Sequence, residues 1–476
     1  MPAYQFDLIV IGAGPAGEKG ATHAASLGKK VAIVEQEAVL GGVTANLGML
    51  PSKTLRESAL CLSGYRQRGI HGLDMTLKEH VGTQDLLSRE RLLRQLEQTR
   101  IRANLERHKV ALVHGAASFI DPHTVRVRGT GAAREDLLTG DKILIATGSS
   151  PLMPPLFPAG HPAIFDAESF LHTTEIPRRL LIVGGGVIGT EYACIFAAFG
   201  VQVTLVEEGE RLLPLLDRDV SSVLLASMRA QGIDVRLGEQ VASVRTEGGL
   251  GCALASGAAL DCDALLVAVG RVGKTDTLNL AAAGLQADGK GLLQVNVHCQ
   301  TAQPHLYAAG DVVGFPALAS SAREQALRAV SHAFLPERAG ATPILPYGIY
   351  TIPECSMAGG TEESLSAAGT PWVAGVAHYL ANARGQIIGA RQGFLKLLFH
   401  RETLKLLGVH VVGEQAAELV HTGLLGLQLG ATAQVFIDTC FNYPTLGELY
   451  KSAAQDALSR LAPPRPASSG LLKPGS

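Results

Sequence analysis

Charge is scarce in this chain. Asp, Glu, Lys and Arg make up only 18% of the 476 residues and nearly cancel, leaving a net charge of −2. No basic patch invites a nucleic acid and no acidic tail stands out, so nucleic acid is excluded as a partner. Cysteines are few and scattered: Cys61, Cys194, Cys252, Cys262, Cys299, Cys355 and Cys440 are odd in number and include no CxxC or similarly close pair. That spacing argues against a disulfide framework or a zinc site and leaves reduced, mostly buried thiols. No His/Cys/carboxylate cluster has metal-ligand spacing, so no metal is expected. Long apolar runs are missing as well, because glycines interrupt each candidate before it could span a bilayer. The first residues, Met-Pro-Ala-Tyr-Gln-Phe-Asp, have no basic leader and run directly into an apolar strand. The expectation is a cytoplasmic protein without a membrane partner.

What the chain does have is apolar residues, 47% of the total, enough for large cores in about three domains. It also has two glycine-rich loops with the same surroundings. Gly12-Ala13-Gly14-Pro15-Ala16-Gly17 follows the apolar run Phe6–Ile11, and Glu35 closes the next run. Gly184-Gly185-Gly186-Val187-Ile188-Gly189 follows Leu180–Val183, and Glu207 closes Val203–Val206. In both copies the acid stands 18 residues past the third glycine. The first glycine permits the tight turn, the second lets backbone approach a pyrophosphate, and the third lets helix and strand pack closely. The phosphates meet the positive end of the helix and the acid takes ribose hydroxyls. Two such units imply two dinucleotides and electron traffic between them.

Residues 1–35 read β-α-β. A helix is expected from about Thr83, as N-cap, to His108, with Leu92/Leu96 and Ile101/Leu105 as a core-packing stripe. Ile143–Ala146 ends at Thr147-Gly148, and a proline-rich segment from Pro151 to Pro162 leads into a second domain. That domain repeats the plan of the first, its run Leu265–Val269 ending at Gly270. The chain returns to the first domain near Thr277, where a strand ends in Ala308-Ala309-Gly310-Asp311. Phe394–His400 and Leu404–Val412 read as a hairpin. The fold class is α/β: two Rossmann-like dinucleotide-binding domains and a C-terminal α+β domain. The boundaries are 1–150 with 277–345 for the first, 151–276 for the second and 346–461 for the third. A disordered tail is expected over 462–476.

The segment Gly41-Gly42-Val43-Thr44-Ala45-Asn46-Leu47-Gly48-Met49-Leu50-Pro51-Ser52-Lys53 resembles the redox-motif segment of the flavoprotein disulfide reductases. The resemblance extends to both glycine loops, Ala146-Thr147-Gly148, Gly270-Arg271, Ala309-Gly310-Asp311, and Tyr443-Pro444-Thr445 with Glu448. It implies FAD at the first loop, NAD(P)H at the second and a homodimer formed through the third domain. The departures are chemical. The family's two redox cysteines fall on Thr44 and Met49, and its acid–base histidine falls on Tyr443. Disulfide exchange needs an attacking thiolate and a group to manage its proton, which these side chains cannot supply. The loop also lacks a sulfenate former.

Several longer stretches resemble the soluble pyridine nucleotide transhydrogenase branch. They include Gly348-Ile349-Tyr350-Thr351-Ile352-Pro353-Glu354, Phe399-His400-Arg401-Glu402-Thr403 and Phe441-Asn442-Tyr443-Pro444-Thr445. The implied chemistry is hydride transfer between NAD(H) and NADP(H) through FAD, with no disulfide. By the same resemblance, Lys53 stands near the flavin N5, paired with Glu191, where a cation favours the reduced flavin. Asp311 takes the ribityl or phosphate region, and the helix beginning at Leu318-Ala319 points its positive end at the flavin ring. Gly12, Gly14, Pro15, Gly17, Glu35, Gly42, Ala116, Thr147, Gly148 and Gly310 complete the FAD site. Gly184, Gly186, Val187, Gly189, Glu207, Gly270 and Arg271 serve the nicotinamide nucleotide, with Val187 where some relatives place a gating tyrosine. Tyr443 packs against the other subunit's flavin, with Glu448 nearby. His410 and His421 read as structural.

Glu207 sets up a tension. A carboxylate there accepts two ribose hydroxyls and repels a 2′-phosphate, favouring NAD(H), while Arg211 is close enough in sequence to offset it. Two alternatives stay open: an NADH-preferring diaphorase that reduces a quinone or another small acceptor, and a nucleotide-sensing flavoprotein with little turnover.

Overall fold

The computed structural model describes residues 4–62, 83–129, 135–173, 175–338, 344–390 and 392–461. The tail expected over 462–476 lies outside them. The described residues fall into two compact units, one built from 4–212 and 231–338, the other from 213–230 and 344–461.

The first unit contains two large sheets, one mixed and one parallel. In one, the spatial order is Ala111–His114, Val31–Glu35, Phe6–Ile11, Glu135–Ile145, Thr124–Arg128 and Ala116–Asp121, with Leu306–Ala308 also paired to Glu135–Ile145. Phe6–Ile11 is nearly continuously apolar because the sheet is covered on both faces. Leu8 and Val10 join a core with Ile33, Leu144, Ala326 and Val330. Ile9 and Ile11 point the other way, into a core with Val34, Phe119, Ile143 and Ile145, as the two-residue period of a strand requires. Strand Glu135–Ile145 serves twice: its first half pairs antiparallel with Thr124–Arg128, and its second half pairs parallel with Phe6–Ile11 and Leu306–Ala308.

The other sheet runs Asp234–Leu237, Gln202–Glu207, Arg179–Val183, Ala264–Val267 and Ile164–Asp166, all parallel. The short antiparallel sheet Val241–Arg245, Gly251–Leu254 and Ala259–Asp261 is inserted just before Ala264–Val267, the last strand of that sheet in chain order.

The long helix spans Thr83–Arg107. Ile101 and Leu105 are buried in the first core, but Leu92 and Leu96 are 55% and 57% exposed. The expected four-residue core stripe is therefore half right. At 1.5 Å per residue the helix extends roughly 37 Å, and Ile101 and Leu105 join the core from its C-terminal part.

The second unit is an antiparallel sheet in the order Tyr347–Ile349, Glu354–Gly359, Leu406–Gly413, Phe394–His400 and Trp372–His378. Helices Ala416–Leu429 and Leu449–Leu461 complete its core around Leu397, Phe399, Val409, Val420 and Tyr450. The expected hairpin is present as Phe394–His400 with Leu406–Gly413. Lys396 lies fully buried in this sheet, its ammonium held by Asp217 at 2.9 Å, Asp219 at 2.7 Å and Glu362. A buried lysine persists only when paired in this way. His410 is also fully buried and bonds through Nε2 to Gly360 O at 2.9 Å, while its Nδ1 has no partner among the described residues. Because the carbonyl only accepts, Nε2 carries the proton. His421 is exposed.

Candidate functional site

Both glycine loops stand at the end of a parallel strand and the start of a twelve-residue helix, Pro15–Ser26 and Val187–Ala198. Gly12 and Gly184 have φ of +102° and +111°, and a Cβ on either would strike a backbone carbonyl, Ala146 O or Ala268 O. No side chain fits there. Gly17 and Gly189 each crowd the first glycine's carbonyl in the same way. Between them the loops are open. A Cβ on Gly14 would meet nothing nearer than Gly42 Cα at 4.0 Å, and one on Gly186 nothing within 4 Å. Gly14 and Gly186 are also the N-caps of their helices and offer no side chain to the first N–H groups. Each loop thus presents an open backbone cradle at a positive helix end, the arrangement a pyrophosphate needs.

The two acids latch these loops alike. Glu35 accepts the Ala13 N–H at 2.7 Å and the Glu37 N–H at 2.9 Å. Glu207 accepts the N–H of Gly185, the residue corresponding to Ala13, and that of Gly209 at 2.7 Å. A carboxylate has about four lone-pair positions, so each acid retains capacity for ribose hydroxyls.

Further groups stand beside the first loop. Thr147 follows Ala146 directly, and its buried Oγ1 has no hydrogen-bond partner among the described residues, an orphaned group of the kind a bound ligand satisfies. Gly148 leaves open space. Gly310, with φ +83°, donates its N–H to Gln325 Oε1 at 2.8 Å. Asp311 accepts from Ser149 Oγ at 2.8 Å and does not cap a helix. Ala319 opens the helix Ala319–Phe334, and Ala116 is an exposed residue at the start of its strand. Gly42 and Pro15 flank the open gap at Gly14. These residues fit a flavin dinucleotide.

Lys53 lies on the helix Met49–Leu62 and Glu191 on the helix of the second loop. Their ion pair is 2.6 Å long, with side chains 24% and 5% exposed. The neighbouring Tyr192 is buried, and burial, reinforced by Glu191, pushes its phenol well above the usual range, so it stays neutral. Val187 is the first residue of that helix and partly exposed. Gly270 has open space around its Cα.

Thr44 sits in the short helix Gly42–Asn46, and Met49 begins the next. Cys61, the nearest cysteine in sequence, is exposed and lies twelve residues beyond Met49, roughly 18 Å along a helix. Cys252, Cys262 and Cys299 are buried, and burial raises their thiols to about 11, 12 and 11, which keeps them protonated and inert. Tyr443 and Glu448 belong to the second unit. Tyr443 is 74% exposed, and Glu448 closes a short helical turn, Leu446–Glu448.

Sequence reasoning missed Glu168 and Ser149. Arg271 donates through Nε to Ser149 Oγ at 2.7 Å, and through Nη2 to Ser149 O at 2.8 Å and to Glu168 Oε1 at 2.7 Å. Ser149 directly follows Ala146-Thr147-Gly148 and could have been suspected from that position. Glu168 stands in no motif.

Residues 6–326 match the pyridine nucleotide-disulphide oxidoreductase family, and residues 345–454 match that family's dimerisation domain. Relatives named soluble pyridine nucleotide transhydrogenase include one from Mycobacterium bovis, 42% identical over 96% of this chain and 98% of its own. Another, from Hahella chejuensis, is 41% identical over 97% of this chain and all of its own. Among solved structures, LpdA from Mycobacterium tuberculosis superposes with a TM-score of 0.86 at 27% identity, covering 96% of this chain and 100% of that one. The HOCl-induced flavoprotein disulfide reductase RclA from Escherichia coli gives 0.83 at 27% identity, covering 94% and 99%. With two latched dinucleotide loops and full-length similarity to these proteins, this chain belongs to the pyridine nucleotide-disulphide oxidoreductase family.

Proposed function

We propose that the protein is an FAD-dependent, homodimeric, cytoplasmic oxidoreductase that passes hydride between NAD(H) and NADP(H) without a redox disulfide. The observation that carries this reading is the ion pair between Lys53 and Glu191, the latter on the helix of the second dinucleotide loop, in a chain whose neighbouring motif has Thr44 and Met49 for cysteines. Residues 1–150 and 277–345 form the FAD domain, 151–276 the NAD(P) domain and 346–461 the subunit interface. The matches at 6–326 and 345–454 support the last of these boundaries. Among the described residues no helix is long and apolar enough to cross a membrane.

When bound, FAD supplies the two-electron hydride chemistry between the nicotinamides. The chain's residues bind and orient. Gly12, Gly14, Gly17, Thr147 and Gly148 receive the flavin nucleotide, with Glu35 and Asp311 for hydroxyls. Gly184, Gly186, Gly189 and Glu207 receive the nicotinamide nucleotide. Lys53 supplies positive charge where reduction gathers negative charge, and Glu191 fixes its ammonium. Tyr443 and Glu448 face the partner's site.

The test is reduction of thio-NAD⁺ by NADPH with purified, FAD-loaded protein, anaerobically and without thiols, with NADH as a parallel donor. Comparable turnover with both donors supports the proposal. A second reading, an NADH-preferring diaphorase, is favoured by the Glu207 carboxylate held against the second loop, where it repels a 2′-phosphate. NADH oxidation with a quinone acceptor and no NADPH turnover selects it.

A further inference from the structure

The segments that rest on the two glycine loops meet each other. Ala146 O sits where a Gly12 side chain would be, and Ala268 O sits where a Gly184 side chain would be. A few residues further on, Ser149–Pro151 and Arg271–Gly273 pair as antiparallel strands. Across this ladder runs a connected chain of polar groups. The Arg271 guanidinium donates to Glu168, to Ser149 O and to Ser149 Oγ, and Ser149 Oγ in turn reaches Asp311 Oδ2. The directions are forced. A guanidinium only donates and an ionised carboxylate only accepts, so the Ser149 hydroxyl proton points at Asp311. Ser149 is 3% exposed, and the Arg271 and Glu168 side chains are 19% and 17% exposed. Shielded, charge-assisted bonds of this kind hold their geometry more firmly than neutral ones.

We propose that Glu168, Arg271 and Ser149 are positioning residues that orient the Asp311 carboxylate and transmit the state of the second dinucleotide loop to the first. This rests on the reading of the loops as FAD and nicotinamide cradles with Asp311 at the flavin nucleotide. It gives Arg271 a different role from the direct cofactor contact that family resemblance implies. Three of its donor contacts are already committed within the protein, and it acts on the flavin site through Ser149. Among the described residues only Oδ2 of Asp311 is engaged, which leaves Oδ1 for the ligand. A nucleotide that shifts the second loop moves Ala268, then Arg271, then the hydroxyl that aims Asp311.

The experiment uses FAD-loaded protein and the variants Ser149→Ala, Ser149→Thr, Glu168→Gln and the double variant Ser149→Ala/Glu168→Gln. FAD affinity is read from the fluorescence of released flavin. Coupling is read from the change in the flavin visible spectrum when NAD⁺, which cannot reduce it, is added. NAD⁺ affinity is measured separately by calorimetry. In Ser149→Ala, FAD affinity falls about tenfold, the weight of one charge-assisted bond, and the NAD⁺-induced spectral change is lost while NAD⁺ still binds. Glu168→Gln moves both readouts the same way, the double variant is no worse than Ser149→Ala, and Ser149→Thr restores them. Effects that add in the double variant, or a retained spectral change in Ser149→Ala, overturn the relay. Wild-type protein that holds FAD but shows no nucleotide-linked spectral change overturns the relay alone. Wild-type protein that binds no FAD overturns the proposed function with it.

Discussion

The Lys53 ammonium and the Glu191 carboxylate form an ion pair 2.6 Å long between the helix Met49–Leu62 and the helix of the second glycine loop. One partner is almost fully buried, so removing the other leaves a charge in a poor solvent. For Lys53→Met, flavin bleaching by NADH in stopped flow is expected to slow about a hundredfold, the scale seen when one preorganised electrostatic group is removed from an active site. Glu191→Gln keeps the ammonium but loosens it, and about a tenfold loss is expected. Wild-type bleaching rates in Lys53→Met would remove the lysine from the mechanism.

Glu207 holds its loop and, under the proposed function, meets the nucleotide. Glu207→Ala removes the repulsion toward a 2′-phosphate, worth about one to several kcal/mol at close range. The ratio of kcat/KM for NADPH to that for NADH is expected to rise about tenfold, because NADH loses its ribose-hydroxyl acceptor while NADPH is freed from repulsion. An unchanged ratio would show that discrimination lies elsewhere.

Lys396 supports the second unit through Asp217, Asp219 and Glu362. Lys396→Met strands the buried Asp217 carboxylate and is expected to destabilise the fold by about 3–5 kcal/mol, read from denaturant midpoints. Asp217→Asn is expected to be milder, because its amide still accepts a bond from Lys396.

The same cluster makes stability depend on pH. Burial lowers the His410 imidazole below its ordinary 6.5 despite Asp217 nearby. Unfolding lets it take a proton, so this contribution weakens as pH falls below 6.5. Burial alone would raise the Asp217 carboxyl, but His410 and Lys396 hold it below 3.8. Its contribution is present above that value and is lost as pH drops through the lowered one. Lys396 lies above 10.5 because its carboxylate bonds outweigh burial, so its contribution is full below that pH and is lost above the raised value. The thermal midpoint is expected to decline on acidification from pH 6.5 downward, and His410→Gln is expected to flatten the first part of that decline. An unaltered acid limb in that variant would exclude the histidine.

Leu92 and Leu96 are exposed, whereas Ile101 on the same helix is 2% exposed. Leu92→Gln with Leu96→Gln is expected to change stability by no more than about 0.5 kcal/mol per site. Ile101→Ala is expected to cost about 2–5 kcal/mol. Equal costs would contradict the burial difference.

The parallel strands and the loops could be read from residue order, because they depend on local spacing, and the pairing of Lys53 with Glu191 follows from resemblance to the family. The half-buried state of the Leu92-to-Leu105 stripe could not. Helical periodicity reports which side chains share a face, but not where the core beneath that face ends. Glu168 escaped notice for a related reason. It meets Arg271, distant in the chain, from the turn after Ile164–Asp166, and nothing in its immediate neighbours marks it. Lys396, within Phe394-Leu395-Lys396-Leu397, reads locally as a strand interruption until Asp217 and Glu362 are brought to it.

Strand Glu135–Ile145 has a consequence for the order of assembly. Its own Ile143 pairs with Leu306, and the whole second glycine-loop sheet intervenes in the chain. On a ribosome the first sheet emerges with one edge missing, and the closing strand appears only after the intervening sheet has been synthesised. Bringing so distant a segment back costs loop entropy, which grows slowly with length but is recovered only at closure. Collapse of the intervening sheet shortens that loop. Folding of the inner nucleotide half therefore acts as the clasp that lets the outer one finish.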